Sequence, residues 1–229
     1  MRREDAVWVV GRLTVQPLVQ VFSRLVVYGK ERVPLEGGIV VACNHFSWLD
    51  PPALGAACPR TINYMAKVEA HVVPGLGELI RLFGCYPVRR GESDRDAVRT
   101  MRRVVAEGGA LGMFAEGTRQ RSGVPGPVQP GAAMVALQED VPIVPAAVHG
   151  SLAWRLGNFA PVSIAWGEPL RFDGLPRNGK GYREASHELE REIRRLWDWL
   201  VEMHALGRPR ATPPASRSRE RHGGDETQL

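Results

Sequence analysis

The chain has 229 residues, 44% of them apolar and 24% charged, which suits one folded domain with a sizeable core and room for appendages. A mean hydropathy of −0.20 argues against a polytopic membrane protein, and three cysteines (Cys43, Cys58, Cys85) imply no disulfide framework and fit a reducing cytoplasm. The net charge of +5 calls for a polyanionic partner or surface, although residues 208–229 alone hold five arginines against three acids.

Met1-Arg2-Arg3 is followed by Glu4 and Asp5 without a small-residue cleavage site, so no signal peptide is expected. No apolar run reaches the roughly 18 residues that span a bilayer. Residues 6–27 are rich in Val, Leu, Phe and Trp, with Arg12, Gln16, Gln20 and Arg24 recurring every fourth position. That spacing lines the polar groups along one ridge of a helix and leaves a broad apolar surface; Pro17 is expected to split it in two. Such a segment either packs on the domain's own core or lies among lipid headgroups with Trp8 and the arginines at the boundary. The two are compatible.

From residue 37 onward short β-like runs alternate with helical stretches. Ile39–Ala42, Ile62–Ala66, Cys85–Val88, Ala110–Phe114, Ile143–Val148 and Val162–Trp166 read as strands. Ser93-Asp94-Arg95-Asp96 resembles a capping box opening a helix with Ala97, Val98, Met101, Val104 and Val105 as its buried stripe and Gly108 as its stop. Gly131–Gln138 is a second helix. A third runs from about Tyr182 to His204, with Ala185, Leu189, Ile193, Leu196 and Leu200 at helical spacing. The fold class is therefore α/β: a mostly parallel or mixed central sheet flanked by helices, preceded by an amphipathic helical segment. The expected organisation is a membrane-contacting segment over 1–30, a domain over 31–207 and a disordered basic tail over 208–229. Gln120–Gly131, with three Pro and three Gly, reads as a surface loop.

The sharpest chemical feature is Asn44-His45-Phe46-Ser47-Trp48-Leu49-Asp50-Pro51, just after the first buried strand. His and Asp five apart lie about 140° apart on a helix and on opposite faces of a strand. A turn, however, can fold Asp50 onto one imidazole nitrogen and leave the other as a general base. Against this, Asp50-Pro51 also suits a helix start, and His45 also suits a hydrogen-bonded loop. Cys43 could pair with His45 as a nucleophile or simply continue the apolar strand. A second cluster, Phe114-Ala115-Glu116-Gly117-Thr118-Arg119, offers a phosphate cradle through Gly117, the Thr118 hydroxyl and the Arg119 fork, or else a surface turn with an internal Glu116–Arg119 pair. Arg89 and Arg90 end a third strand and Lys67 a fourth, so basic groups gather where open α/β sheets bind ligands.

Together, in this order, these segments resemble the glycerol-phosphate acyltransferase superfamily, specifically the bacterial 1-acyl-glycerol-3-phosphate acyltransferases. His45 to Asp50 matches that family's His-x4-Asp motif. Gly84 to Arg90 matches its second motif, and Phe114 to Arg119 its third, with Ala115 in place of proline. Val141-Pro142-Ile143-Val144-Pro145 matches the fourth. Gln129-Pro130 stand where the family commonly has a lysine before the glycine. The resemblance covers about residues 33–170. It implies catalytic His45 and Asp50, acceptor positioning by Arg90, Glu116, Gly117, Thr118, Arg119 and Lys67, and a site wall shaped by Pro142 to Pro145. It further implies a lysophospholipid acceptor, acyl-CoA or acyl-carrier protein as co-substrate, and phosphatidate as product. No metal and no tightly bound cofactor are expected. The expected setting is the cytoplasmic face of the cell membrane, peripheral or monotopic, on an anionic membrane surface. The competing classes are an acyl thioesterase, a non-catalytic lipid-binding protein and a nucleic-acid module; for the last, no groove-reading motif is present.

Overall fold

The computed structural model describes residues 16–75, 77, 85–88 and 95–216. Residues 6–15, Gly84, Arg89, Arg90, the Ser93-Asp94 start of the predicted capping box and the tail beyond 216 lie outside the described residues. The strands are β1 (Val26–Tyr28), β2 (Ile39–Cys43), β3 (Ile62–Lys67), β4 (Cys85–Val88), β5 (Ala110–Phe114), β6 (Ile143–His149) and β7 (Ser163–Trp166). The helices are α1 (Asp50–Ala57), α2 (Val68–His71), α3 (Arg95–Ala106), α4 (Gly131–Glu139) and α5 (Gly179–Ala205), with a further helical stretch at 16–22.

Every residue of β2 is buried, as expected of an apolar run covered on both faces. Ile39, Val41 and Cys43 enter one apolar cluster with α1, while Val40 and Ala42 enter another with α3, α4 and α5. This is the two-residue period of a strand dividing one core into two layers. Among the described residues, β2 sits in the middle of a seven-stranded sheet ordered β1-β7-β6-β2-β5-β3-β4. Neighbours pair parallel except β6 and β7, which run antiparallel. The sheet is thus mixed, and six of its strands match the predicted runs to within a residue or so.

β1 is the exception, because the apolar pattern of 6–27 predicts helix there. Helix ends at residue 22, Arg24 adopts a left-handed φ of 46°, and Val26–Tyr28 pair with Ser163–Ala165. Two β-branched residues and a tyrosine favour a pleated edge over one more helical turn. The single reversal at β7 has a geometric result. β2, β5 and β6 end at the edge where β7 and β1 begin, since His149 pairs with Ser163 and Val26 with Ser163. The 16–22 helix and the β6–β7 loop therefore share that edge with whatever follows β2.

α5 carries the predicted stripe: Ala185, Leu189, Ile193, Leu196 and Leu200 are all buried. Its N-terminus is capped by Asn178, whose Oδ1 accepts from Lys180 and Gly181 amides. Gly108, at φ 82°, lies just beyond α3. Residues 208–216, within the segment that composition marks as unstructured, lie against β1. Arg208 Nη1 donates to the Arg24 carbonyl, and the Arg32 guanidinium donates to Pro213 (2.6 Å) and Pro214 (3.1 Å) carbonyls.

Near the end of α5, His204 Nε2 lies 2.8 Å from Ser163 Oγ, and its ring meets that of His149 edge-on at 4.3 Å. Burial lowers His204 to about 4, with His149 and Arg208 adding to the shift, and burial also lowers His149. The unfolded chain, with ordinary histidines near 6.5, binds more protons than the folded one between the two values. Stability from this pair is therefore full above 6.5 and is lost as pH falls toward 4. His204→Gln can keep the Ser163 bond without titrating. We expect the melting temperature of the wild type to drop more than that of His204→Gln between about pH 6.5 and 5; parallel pH profiles would contradict it.

Candidate active site

β2, β5 and β6 lie side by side, with Cys43 level with Phe114 on one side and Ala146 on the other. Beyond Cys43 the ladder continues through a side chain. Asn44 Nδ2 donates to the Val148 carbonyl (3.0 Å), and the Val148 amide donates to Asn44 Oδ1 (2.8 Å). Asn44 thus stands in for a strand residue and lets the main chain turn away at His45. Sequence reading gave Asn44 no role; an amide side chain directly after a buried apolar run and before a histidine was the available signal.

After the turn, Asp50 opens α1, with Pro51 following it. The N-cap residue is Leu49, without a side-chain cap bond, so Asp50 is not used to cap the helix. Its Oδ2 instead accepts from His45 Nδ1 (2.8 Å) and from the amides of Phe46 (2.6 Å) and Ser47 (2.7 Å). The carboxylate is buried at 1% exposure and the imidazole at 12%. An acceptor at Nδ1 fixes the tautomer with the proton on that nitrogen and leaves Nε2 as the basic one. The His45 ring also stacks on Phe114, with centroids 3.9 Å apart and planes at 19°, and Phe114 in turn stacks on Tyr64. Cys43 does not compete for the histidine: it is fully buried, its Sγ contacts Asn44 Oδ1, and desolvation pushes its thiol well above the ordinary range.

Glu116 lies beneath this turn, buried, with both oxygens engaged by main-chain donors. Oε2 accepts from the His45 amide and Oε1 from the Gly126 amide, each at 2.8 Å. The internal Glu116–Arg119 pair of the alternative reading is not formed: neither residue's side chain is bridged to the other. Burial raises the Glu116 carboxyl to about 7; Asp50 adds to the rise, while the two amides and Arg194 oppose it. Glu116 therefore joins the His45 turn to the 120–130 loop. That loop is further held by Gln120 N–H on the His45 carbonyl (2.7 Å), Gln129 N–H on the Ala115 carbonyl (2.8 Å) and Val128 N–H on Glu190 (3.0 Å). Arg194, one turn along α5, donates to the Pro125 carbonyl.

Gly117 takes φ 71° and donates to the Phe114 carbonyl, a tight turn that a side chain would strain. The turn leaves Gly117, Thr118 and Arg119 exposed immediately beside the His45 loop. β3 ends at Lys67, described by its backbone alone, and Arg90 lies outside the described residues. Among the described residues, no three His, Cys, Asp or Glu side chains are grouped to hold a metal ion, and no helix is long and apolar enough to cross a membrane. The geometry can therefore present one basic imidazole nitrogen, oriented by a buried carboxylate, next to a small polar and cationic turn.

Comparison with known proteins points the same way. The model of a family described as Acyltransferase matches residues 24–149. The 1-acyl-sn-glycerol-3-phosphate acyltransferase of Bacillus subtilis (strain 168) is 32% identical over 181 residues, spanning 76% of this chain and 90% of that protein. A protein of the same name from Streptococcus pneumoniae (strain ATCC BAA-255 / R6) is 25% identical over 74% of this chain and 64% of its own length. Among solved structures, the 1-acyl-sn-glycerophosphate (LPA) acyltransferase PlsC from Thermotoga maritima aligns with a TM-score of 0.67 over 93% of this chain and 86% of that one. At 22% identity that likeness speaks for a shared fold.

Proposed function

This chain belongs to the acyltransferase family, and from that premise we propose that it moves a fatty acyl group from a thioester donor to the free hydroxyl of 1-acyl-glycerol-3-phosphate, giving phosphatidate. The observation that carries the reading is the His45–Asp50 pair: Nδ1 is tied to the carboxylate and Nε2 is left to meet a substrate. Nε2 takes the proton of the acceptor hydroxyl as its oxygen attacks the thioester carbonyl. The tetrahedral intermediate then expels the thiolate, the carbon–sulfur bond breaks, and the imidazolium returns the proton to sulfur. Asp50 stabilises the transient imidazolium. No acyl-enzyme forms, so no side-chain nucleophile is required. The donor is acyl-CoA or acyl-carrier protein, released as its free thiol. The exposed Thr118 and Arg119 are suited to hold the acceptor's phosphate, with Arg90 and Lys67 proposed to join them. The proposed setting is peripheral attachment to the cytoplasmic face of the membrane through the N-terminal segment, supported by the exposed Leu18 and Val21 on the 16–22 helix.

The direct test is to incubate purified full chain with acyl-CoA and a panel of lysophospholipids and to identify products by mass spectrometry. Phosphatidate from lysophosphatidate is expected; rapid thioester hydrolysis that ignores every acceptor would instead indicate a thioesterase. Arg119 gives a sharper readout. A charge-assisted bond to phosphate is worth about 1.5–3 kcal/mol, so Arg119→Ala should raise acceptor KM by about 10–100-fold while donor KM moves much less. Arg119→Lys should recover only part of this, because it keeps the charge and loses the fork. Equal changes in both KM values would remove Arg119 from the acceptor site.

A further inference from the structure

The edge of the sheet that carries His45 also carries a row of aromatic residues, linked by two ring contacts and one hydrogen bond, that the proposed chemistry does not use. Trp48, three residues past His45, is 61% exposed and meets Trp154 edge-on at 5.3 Å. Trp154 is buried and donates its indole N–H to the Phe22 carbonyl (2.9 Å). Phe22 stacks on Phe159 at 5.5 Å. The row thus runs from the catalytic turn, across the 151–160 loop between β6 and β7, to the 16–22 helix. Leu156 and Phe159 are exposed on the loop at 78% and 42%, and Val21, which adjoins the Phe22 partner of Phe159 in the chain, is 65% exposed on the helix.

The loop is built to hold these side chains outward. Asn158 Oδ1 accepts from the Arg155 and Ala160 amides, and its Nδ2 donates to the Ala153 carbonyl. Arg155 Nη1 donates to the Leu152 and Trp154 carbonyls. Phe159 itself is held at φ 49°, a left-handed conformation that disfavours an aromatic residue. A strained, exposed phenylalanine fixed by a network of side-chain bonds is not explained by packing of the domain alone. The charge carried by these two segments has one sign. Residues 16–25 and 151–160 contain no acid, and Arg24, Arg155 and Arg208 lie on them or against them. Apolar tips in a cationic setting, continuous with a site for a lipid acceptor, match an anionic bilayer surface better than a flat protein partner.

We propose that the 151–160 loop is a second membrane-inserting element, which enters an anionic lipid surface through Leu156 and Phe159 beside the 16–22 helix and sets the His45 turn against the bilayer. The proposal rests on the acyltransferase reading for the identity of the substrate, and the test separates the two. The full chain and the variant Leu156→Ser/Phe159→Asn are compared by flotation with vesicles of phosphatidylcholine and phosphatidylglycerol in equal parts. Asparagine accepts a left-handed φ readily, which offsets the lost stack on Phe22, so the melting temperature should change little. The variant should bind vesicles about 10–100-fold more weakly, the effect of withdrawing two apolar side chains from lipid. It should turn over acceptor embedded in those vesicles correspondingly less, yet match the wild type on a short-chain acceptor dissolved as monomer. Equal flotation of the two proteins, or no flotation of the wild type, would overturn the proposal. So would sedimentation showing a wild-type dimer that the variant breaks, because the patch would then face a second copy. A wild type that floats but acylates no monomeric acceptor would strike the activity reading instead, and the flotation difference alone would decide the loop.

Discussion

His45→Ala is expected to lower turnover by about 10²–10⁴-fold, the usual contribution of a positioned general base, and to leave the fold standing. The reason for the second half lies in the main chain. The His45 amide still reaches Glu116, its carbonyl still accepts from Gln120, and Asp50 Oδ2 still holds the Phe46 and Ser47 amides. Alanine removes a ring stacked on Phe114 at a partly exposed site, without orphaning a buried donor. Asp50→Asn complements it. Its amide oxygen can take the place of Oδ2 and keep all three bonds, so what is lost is the charge facing the imidazolium. A pair of charges about 4 Å apart near a protein surface interacts by about 4 kcal/mol, so a fall of about 10²–10³-fold is expected. Initial rates at saturating donor and acceptor, read beside circular dichroism, check both variants. Near-normal turnover of a folded His45→Ala protein would end the proposed mechanism.

Glu116→Ala has its largest effect on stability. It strips the acceptor from two main-chain amides, of His45 and Gly126, at about 1–3 kcal/mol each, while removal of a buried carboxylate gives part of that back. A net loss of about 2–4 kcal/mol lowers the melting temperature by about 5–15 °C in a domain of this size. Turnover should fall as well, since the 120–130 loop and the His45 turn lose their common tie. Glu116→Gln keeps one acceptor oxygen but sets its NH2 against the other amide, so it should fall between wild type and alanine. Were Glu116 instead a direct ligand of the acceptor, Glu116→Gln would raise acceptor KM with an unchanged melt. Thermal melts and the two KM values together decide between these roles.

The features written at strand ends were the legible ones. A buried apolar run followed by Asn-His and another followed by Glu-Gly-Thr-Arg can be located without coordinates, since each strand must stop where its periodicity stops. What the residues could not convey was direction and partnership. Val26-Val27-Tyr28 continues the apolar surface of the preceding helix without a break, and three residues are too few to display a period of two. The role of Asp50 was ambiguous because a carboxylate before proline suits a helix start, and only the turn at Ser47 decides which donors it meets. Glu116 beside Arg119 reads as an ion pair; the competing donors were backbone amides ten residues ahead and seventy-one behind, which no local pattern encodes. Pro213 and Pro214 are bound through their own carbonyls, and a proline-rich stretch carries no side-chain mark of that.

That last contact bears on how the outer strand of the sheet is covered. β1 is the outermost strand of its side of the sheet, with β7 on one flank. An outer strand offers amides and carbonyls to any passing chain, the usual starting point for sheet-to-sheet association. Here the segment 208–214 touches both ends of β1, at Arg24 and again where Pro213 packs on Gly29. Prolines 209, 213 and 214 have no N–H with which to extend the ladder, so the covering segment is a poor template for a further strand. A chain trimmed at residue 207 would uncover that flank, and its lowered colloidal solubility would be a property of the tail rather than of the catalytic domain.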